Sequence, residues 1–366
     1  MRDVLVVVLN YRVADLALGC LDALAGQIRG QAGCRVVVVD NDSGDGSAEQ
    51  IAAAIAQRGW QDWVSLVCSP VNGGFAAGNN LAIRPALEAP DPPRYVLILN
   101  PDTLPRPGAV AALHDFLEAH PEVGIAGSRL EEADGTQHHS RYRFPSLRGE
   151  LDARLGIGLV SRWLAPWQIA PPLVAESHPI DWVAGASMMI RAKVFADVGL
   201  LDEGYFLYFE ELDFCRRARR AGWPCWYVYE SRVAHLVGRS SGIDVRRRET
   251  PPMPPYWFQS RRRYYVKNHG LAYALAIDAV AVLGLAFSRT REQLGGRRGP
   301  HPDRFLRDLI RGSVWWRGSR GLDGRVGAEP RSSPPAHDGV LAERGGRKPP
   351  ATAPGHAPGH ALAREP

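Results

Sequence analysis

Short aliphatic runs alternate with helix-like segments in the first third of the chain. The runs are residues 4–9, 35–39, 64–68 and 95–99, and valine, isoleucine and leucine dominate them. Strands that are buried on both faces of a sheet have this composition, whereas amphipathic patterns between such strands are typical of crossover helices. Repeated βαβ units therefore predict an α/β fold with a doubly wound, mostly parallel sheet.

Capping residues predict where the intervening helices begin. Asp15 is expected to cap a helix that ends near residue 29, and Ser47 one that ends near residue 58. A third helix is expected after Gly78, and a fourth over residues 108–119.

Polar, glycine-rich segments follow all four predicted strands. They are Asn10-Tyr11-Arg12 and the segments at residues 40–46, 72–80 and 100–103. Any one of them is explained by a turn. However, ligands bind outside the carboxyl ends of parallel strands, so four such segments at one edge favour a binding crevice. The sequence contains neither GxGxxG nor GxxxxGK[ST], so neither the dinucleotide fingerprint nor the P-loop is indicated.

An acidic stretch lies at residues 203–213, among aromatic side chains. In a helix, Asp213 faces Arg217 one turn later, which predicts a surface salt bridge. Glu211 has no cation three or four residues later. With Glu210 beside it to raise its pKa, Glu211 is a candidate general base.

Charge and cysteine content limit the partners and the compartment. The 366-residue chain has a net charge of +5 and a pI near 9.0, and the basic excess follows Arg239. No nucleic-acid-binding motif accompanies it, so an anionic membrane or a phosphate-bearing substrate is favoured over nucleic acid. Five scattered cysteines and the lack of a signal-like N-terminus predict reduced thiols in a cytoplasmic protein.

Five motifs occur in a characteristic order: VVVVDNDSGDGS, NGGFAAGNN, LILNPDT, GASMMIR and GLLDEGYFLYFEELDFCRRARRAGW, followed by His235. This set closely resembles the inverting family-two glycosyltransferases of GT-A fold, in particular their bacterial rhamnosyltransferase-like branch. The resemblance covers about residues 4–270. What it implies for individual residues is an expectation for the structure.

The resemblance implies a nucleotide-sugar site at the strand ends. Asp40 matches the family position that accepts the imino N–H of uracil or thymine, a task that suits an acceptor-only carboxylate. Asn10, Tyr11 and Asn72 are expected near the base and ribose, although strand-end capping explains Tyr11 equally well. Arg239 is expected near the diphosphate.

The resemblance also implies a divalent cation, Mg²⁺ or Mn²⁺. Asp102 matches the second Asp of the family's DxD-type motif, whereas Asn100 replaces the first. His235 matches the family's distal histidine and is a second expected ligand, for which Mn²⁺ is better suited.

On the acceptor side, Glu211 is the implied catalytic base. Relatives often carry Asp there, which leaves Glu210 as the alternative. Trp182, Gly185 and Ala186 match the segment that walls the acceptor site, although a tightly packed buried strand explains the small residues as well.

The chain is expected to divide into three parts. A catalytic domain spans 1–245, with a nucleotide-sugar half (1–130), a variable loop region (131–179) and an acceptor half (180–245). A basic helical extension follows at 246–318, and a disordered tail at 319–366. Within the extension, the apolar run 271–288 contains Asp278, which disfavours a transmembrane helix. Packing on the catalytic domain and peripheral contact with an anionic membrane remain alternatives.

Together these expectations describe a metal-dependent inverting glycosyltransferase of bacterial surface polysaccharide synthesis. The donor is a UDP- or dTDP-sugar, with dTDP-rhamnose first, and the acceptor is a glycan or lipid-linked glycan. The alternative is an inactive nucleotide-sugar-binding or scaffold protein of the same fold. A nucleotidyltransferase is disfavoured because no glycine- and lysine-rich loop follows the first strand.

Overall fold

A computed structural model describes residues 3–236, 252–295, 302, 304–319 and 322. Its strands are β1 (Val4–Asn10), β2 (Arg35–Asp40), β3 (Val64–Cys68), β4 (Tyr95–Leu99), β5 (Thr103–Pro105), β6 (Ile125–Glu131), β7 (Arg141–Tyr142), β8 (His178–Ile180), β9 (Trp182–Val183), β10 (Ser187–Arg191) and β11 (Cys225–His235). The central sheet is mixed and mostly parallel, and its strand order is β3-β2-β1-β4-β10-β6-β11-β5, with β8 paired to β11. Strands β7 and β9 form a separate small sheet.

Strands β1 to β4 are the four aliphatic runs, and they are mutually parallel as expected. The chain order reverses between β1 and β4, which creates the crevice where doubly wound sheets bind ligands. Strand β10 is antiparallel to β4 and β6. The doubly wound, mostly parallel α/β prediction is confirmed.

Helices cover both faces of this sheet and form a further layer at the C-terminal end. They are α1 (Ala14–Ile28), α2 (Ser47–Gln57), α3 (Gly74–Leu87), α4 (Ala109–Ala119), α5 (Leu147–Leu155), α6 (Gly158–Leu164), α7 (Ala192–Val198), α8 (Glu210–Arg220), α9 (Pro255–His269), α10 (Leu271–Leu294), α11 (Phe305–Gly312) and α12 (Val314–Arg317).

Alternate residues of the strands pack into two separate cores. Val6 and Val8 of β1 point to the core shared with α1, α2 and α4. Leu5 and Val7 point to the core shared with α3, α7 and α8. Because successive side chains of a strand face opposite ways, burial on both faces requires the uninterrupted aliphatic runs seen in the sequence.

Three predicted helix starts are wrong by a few residues. Helix α1 begins at Ala14, so Asp15 lies in its first turn and is not the cap. Ser47 is the first residue of α2, and its N–H donates to Asp45 Oδ1 (3.0 Å). Helix α3 begins at Gly74, four residues before Gly78. Gly and Asn concealed that start because they are poor helix formers.

The region 131–179 contains more regular structure than expected for a variable loop. It holds β7, α5, α6 and a 3-10 turn at Ala165–Trp167. Ser146 caps α5 by accepting the N–H of Gly149 (3.1 Å). These short helices have low apolar periodicity because packing stabilises them: α5 lies against α10, and α6 lies against α5.

Helix α10 has 24 residues, six more than the apolar run 271–288 predicted. Among the described residues, it alone is long and apolar enough to cross a bilayer by length and composition. Asp278 lies on its buried side, where it forms an ion pair with Arg261 of α9 and accepts the N–H of Val314 (2.7 Å). The charge is therefore compensated inside the protein.

Candidate active site

The carboxyl ends of β1 and β2 hold a buried polar cluster around Asp40. The two strands pair in register, with Asn10 opposite Asp40. Asp40 Oδ1 accepts from Asn10 Nδ2 (2.7 Å) and from Ser43 Oγ (2.6 Å), and Oδ2 accepts the Ser43 N–H (3.1 Å). A carboxylate has about four acceptor positions, so one remains at Oδ2. The three donors fix the carboxylate at the edge of the crevice.

Asn10 is fully buried, so its contribution to ligand binding is to orient Asp40. Tyr11 follows at the strand end, partly buried, with the Arg12 guanidinium 5.1 Å from its ring centroid. Ser43 was not singled out in the sequence. Its position in an Asp-x-x-Ser spacing after a strand is the signal that identifies it, because such a serine reaches back to the aspartate.

The start of α3 lies against the loop that precedes α8. Asn72 Oδ1 accepts the Gly74 N–H (3.0 Å) and Asn41 Nδ2 (2.8 Å). Gly74 has φ +81°, and a Cβ there would collide with the carbonyl oxygen of Phe206. The Phe75 N–H donates to that same oxygen (2.7 Å). Only glycine permits this close approach, which explains the NGG sequence.

Asp102 and His235 meet where β5 pairs with β11. The register places His235 opposite Thr103, and the Leu236 N–H donates to the Asp102 carbonyl (2.8 Å). His235 Nε2 lies 3.3 Å from Asp102 Oδ1. A carboxylate and an imidazole held at one point by two strands are a partial donor set that fits Mn²⁺ or Mg²⁺. No group of three His, Cys, Asp or Glu side chains suited to a metal occurs among the described residues.

Strained backbone leads directly into α8. Tyr208 (φ +69°) and Phe209 (φ +72°) are consecutive non-glycine residues in the left-handed region. Bulky residues adopt this conformation at a cost of about 1–3 kcal/mol each, and such strain clusters at functional sites. Ser260 of α9 secures the loop by donating to the Leu207 carbonyl (3.0 Å). Helix α8 begins directly after these two residues, at Glu210.

Glu210 and Glu211 are adjacent carboxyl groups in the first turn of α8, of which Glu210 is buried and Glu211 half-buried. Burial raises the pKa of Glu210 well above its ordinary value, and the Glu211 charge raises it further. Burial also raises the pKa of Glu211, but the backbone N–H groups of Glu211, Gly185 and Leu212 oppose that rise. The more exposed Glu211 is therefore the better placed of the two to ionise.

The segment that contains Trp182, Gly185 and Ala186 passes Glu211 and then pairs with β4. A Cβ at Gly185 would lie 3.8 Å from Glu211 Cβ and 3.3 Å from Phe75 Cζ. The Ala186 carbonyl accepts the Asn100 N–H (3.0 Å) at the end of β4. This hydrogen bond links the Asn100–Asp102 turn to the segment beside Glu211.

Tyr142 is a site residue that the sequence analysis missed. It pairs with Trp182 between β7 and β9, and the two rings stack with centroids 4.4 Å apart. Burial, followed by the charge of Glu211, raises the pKa of Tyr142 to about 12. The stacked rings form an aromatic wall next to the acidic pair. No sequence signal distinguishes Tyr142, because it lies in the region 131–179.

The predicted salt bridge between Asp213 and Arg217 forms (2.9 Å), but it is not on the surface, because Asp213 is fully buried. Asp213 also binds Lys267 (2.7 Å) and Asn268 (2.8 Å) of α9. Asp213 therefore anchors the C-terminal helices next to the acidic pair.

The structure brings most of the predicted site residues to one side of the sheet. Arg239 is the exception, because it lies outside the described residues. The expected assignment of individual roles stays a prediction.

Comparisons with known proteins agree with this geometry. The sequence profile described as glycosyltransferase like family 2 matches residues 2–250, more than half of the chain. An N-acetylglucosaminyl-diphospho-decaprenol L-rhamnosyltransferase of Mycobacterium tuberculosis (strain H37Rv) is 32% identical over 220 residues, which are 57% of this chain and 68% of that relative. Rhamnosyltransferase WbbL of Escherichia coli (strain K12) is 29% identical over 171 residues, 45% of this chain and 61% of that relative.

Solved structures show the same fold at low identity. The mannosyltransferase PcManGT from Pyrobaculum calidifontis, in complex with GDP-Man and Mn²⁺, has a TM-score of 0.53 at 16% identity, covering 87% of this chain and 88% of that one. GalNAc-T7, with UDP, GalNAc and Mn²⁺, has a TM-score of 0.51 at 13% identity, covering 74% and 51%. The chain therefore belongs to glycosyltransferase like family 2, in its rhamnosyltransferase-like branch, and has the GT-A fold.

Proposed function

We propose that this glycosyltransferase is metal-dependent and inverting, and that it transfers a sugar from a UDP- or dTDP-sugar to a hydroxyl of a lipid-linked glycan. The observation that carries the proposal is the Glu210–Glu211 pair, which lies beside the stacked rings of Tyr142 and Trp182. A hydrogen bond from Asn100, two residues before Asp102, to Ala186 links the backbone beside Glu211 to the Asp102–His235 pair. A base and an anion-binding point separated by one substrate are what an inverting displacement requires.

Glu211 is the proposed base. Its carboxylate takes the proton of the acceptor hydroxyl, whose oxygen then bonds to the anomeric carbon from the face opposite the diphosphate. The bond between that carbon and the diphosphate oxygen breaks, and the configuration inverts. Glu210, the more deeply buried of the two, is proposed to stay protonated, so that no second negative charge lies beside Glu211.

Asp102 and His235 are the proposed protein ligands of Mg²⁺ or Mn²⁺. A bound cation would neutralise charge on the departing diphosphate. Asn100 in the first position of the motif adds no charge, so most of the remaining coordination positions fall to diphosphate oxygens and water.

The nucleotide is proposed to bind at Asp40, through the open acceptor position of Oδ2. Asn10 and Ser43 orient this carboxylate. Tyr11 and Asn72 are proposed to contact the base and ribose, and Arg239 the diphosphate. Trp182, Gly185 and Ala186, with Tyr142, are proposed to line the acceptor site.

The names of two relatives suggest rhamnose as the donor sugar. One relative is named for rhamnosyl transfer to a decaprenol-linked N-acetylglucosamine, and the other is named a rhamnosyltransferase. We propose dTDP-rhamnose as the first donor to test and a polyprenyl-linked glycan of the bacterial surface as the acceptor, used from the cytoplasmic side.

We retain the division into a catalytic domain (1–245), a helical extension (246–318) and a tail (319–366) as a proposal. The extension has a structural role in the active site, because α9 binds both Asp202 and Asp213. The tail lies almost entirely outside the described residues.

The test is binding and turnover of UDP-, dTDP- and GDP-sugars with and without Mn²⁺ or Mg²⁺, in the wild type, His235→Ala and the control His120→Ala. We expect metal-dependent binding of one UDP- or dTDP-sugar, weakened about tenfold or more in His235→Ala only. NMR of the product should show the anomeric configuration opposite to that of the donor. Nucleotide binding without any turnover on lipid-linked acceptors would favour the inactive scaffold instead.

A further inference from the structure

Helix α10 carries apolar side chains on both of its faces. Its buried face is mostly apolar, with Asp278 in its middle paired with Arg261, and with Gly284 against Arg154 of α5. The opposite face carries Leu283 and Phe287, which are 68% and 53% exposed. A surface helix of a soluble protein normally has polar side chains on its outward face.

The outward face of α10 carries an apolar stripe. Positions three, four or seven apart share one face of a helix, and the stripe consists of the exposed Ala272, Leu283, Phe287 and Leu294 with the half-buried Ala276 and Val280. The exposed Thr290 and Arg291 interrupt it before Leu294, so its uninterrupted part, residues 272–287, is about 23 Å long at 1.5 Å per residue. Single exposed leucines are ordinary, but a stripe of this length indicates that something apolar covers it.

The neighbouring helices α11 and α12 present a basic and aromatic surface. Trp315 and Trp316 are 56% and 68% exposed. Around them lie the exposed side chains of Arg304, Arg307, Ile310, Arg311 and Arg317. The single acidic residue in 304–319 is Asp308, which is paired with Arg307 (3.1 Å). Tryptophan with arginine is the composition that proteins place at the boundary of an anionic membrane.

Either a second copy of the chain or a lipid bilayer fits an apolar stripe, and the charge of the surrounding surface distinguishes between the two. A second copy of the chain would bring the arginines of one α11–α12 surface towards those of the other, and like charges facing each other oppose association. An anionic bilayer offers acyl chains to the stripe and headgroup phosphates to the arginines. The surface charge therefore favours lipid over self-association.

We propose that the lipid-facing surface, defined as Leu283, Phe287 and Leu294 of α10 with the exposed tryptophans and arginines of α11–α12, docks the protein on an anionic bilayer. The helix lies in the interface and does not span it, because α5, α9 and α11 pack against its other side. This inference does not depend on the transfer reaction.

The test is co-sedimentation of the purified full chain with vesicles of phosphatidylcholine containing 30% phosphatidylglycerol, or of phosphatidylcholine alone. We expect binding to the anionic vesicles that weakens at high salt. Leu283→Glu/Phe287→Glu should lower the partition coefficient about 25-fold or more, since each charge near the surface changes binding about fivefold. Arg304→Gln/Arg311→Gln should lower it by a similar factor on anionic vesicles only.

The control is Leu81→Glu/Leu173→Glu, which alters two exposed leucines of the catalytic part and should bind vesicles like the wild type. Circular dichroism and nucleotide binding confirm that each variant is folded. Equal binding by the wild type and Leu283→Glu/Phe287→Glu would overturn the proposal. So would a dimer of the wild type in sedimentation equilibrium that this variant abolishes, with no vesicle binding, because the stripe would then contact a second copy.

Discussion

Replacing each glutamate of the acidic pair by glutamine should have opposite consequences. Glu211→Gln removes the proposed base, whereas Glu210→Gln replaces the carboxyl group that we propose to stay protonated. The two substitutions are equal in size and adjacent in sequence, so they control for each other. Glu122→Gln, at an exposed glutamate, is the control for the chemical change itself.

The catalytic effect follows from the loss of a positioned base. We expect Glu211→Gln to lower kcat about 10²- to 10⁴-fold, or about 2.7 to 5.5 kcal/mol, with nucleotide binding unchanged. Glu210→Gln should stay within about tenfold of the wild type. Since burial raises the pKa of Glu211 above its ordinary value of 4.5, the acid limb of the wild-type pH–rate profile should lie above pH 4.5.

The stability effect has the opposite sign at Glu210. A carboxyl group whose pKa is raised by folding contributes stability below its unfolded pKa, here 4.5, and loses it as the pH rises through the folded pKa. The 2.5 pH units from 4.5 to 7 correspond to at most about 3.4 kcal/mol, at 1.36 kcal/mol per unit. Glu210→Gln should therefore gain stability relative to the wild type as the pH rises, by up to that amount.

The assays are steady-state kinetics and urea unfolding, each measured from pH 4.5 to 8. The reasoning is refuted if Glu210→Gln loses turnover as severely as Glu211→Gln. It is also refuted if the stability difference between Glu210→Gln and the wild type is independent of pH.

Three further substitutions test other parts of the site. Asp40→Asn replaces an acceptor-only carboxylate, which binds the Asn10 amide, by a second amide. Calorimetry should show that the binding of a uracil or thymine nucleotide is weakened about tenfold or more. An unchanged affinity would show that Asp40 is not part of the nucleotide site. Tyr142→Ala should raise the acceptor KM about two- to twelvefold through loss of the aromatic wall, with Tyr142→Phe near the wild type; an unchanged acceptor KM would place the acceptor elsewhere. Asp278→Ala leaves the buried Arg261 cation with Glu150 (3.5 Å) as its remaining acidic partner and should cost up to about 3–5 kcal/mol in urea unfolding, more than Asp278→Asn; a loss below about 1 kcal/mol would show that the pair is not buried in solution.

The sequence alone determined the nucleotide half of the fold. Short runs dominated by valine, isoleucine and leucine indicate strands of a covered sheet, although β3 at its edge is partly exposed, and the polar segments after the runs indicate the ligand edge. These are local properties, readable over five to ten residues. The Asn10–Asp40 neighbourhood follows from them, because parallel strands in register align their ends.

The start of a helix and the burial of a charged side chain depend on contacts that are distant in sequence. Gly74 begins a helix because of the Phe206 carbonyl, 132 positions away, and no local preference predicts that. Asp213 is buried because α9 supplies Lys267 and Asn268. A helical charge with an arginine one turn later looks exposed when only its own helix is considered.

The proposed acceptor site and the proposed lipid-facing surface both depend on tertiary contacts. Tyr142 becomes a site residue only when β7 pairs with β9, which places it on Trp182 beside Glu211. The Asp278 charge disfavoured a membrane-spanning helix at residues 271–288, and it left packing on the catalytic domain and peripheral membrane contact as alternatives. Packing turns that charge inward to Arg261 and leaves the apolar face outside, because a buried ion pair compensates the charge and the opposite face has no protein partner among the described residues.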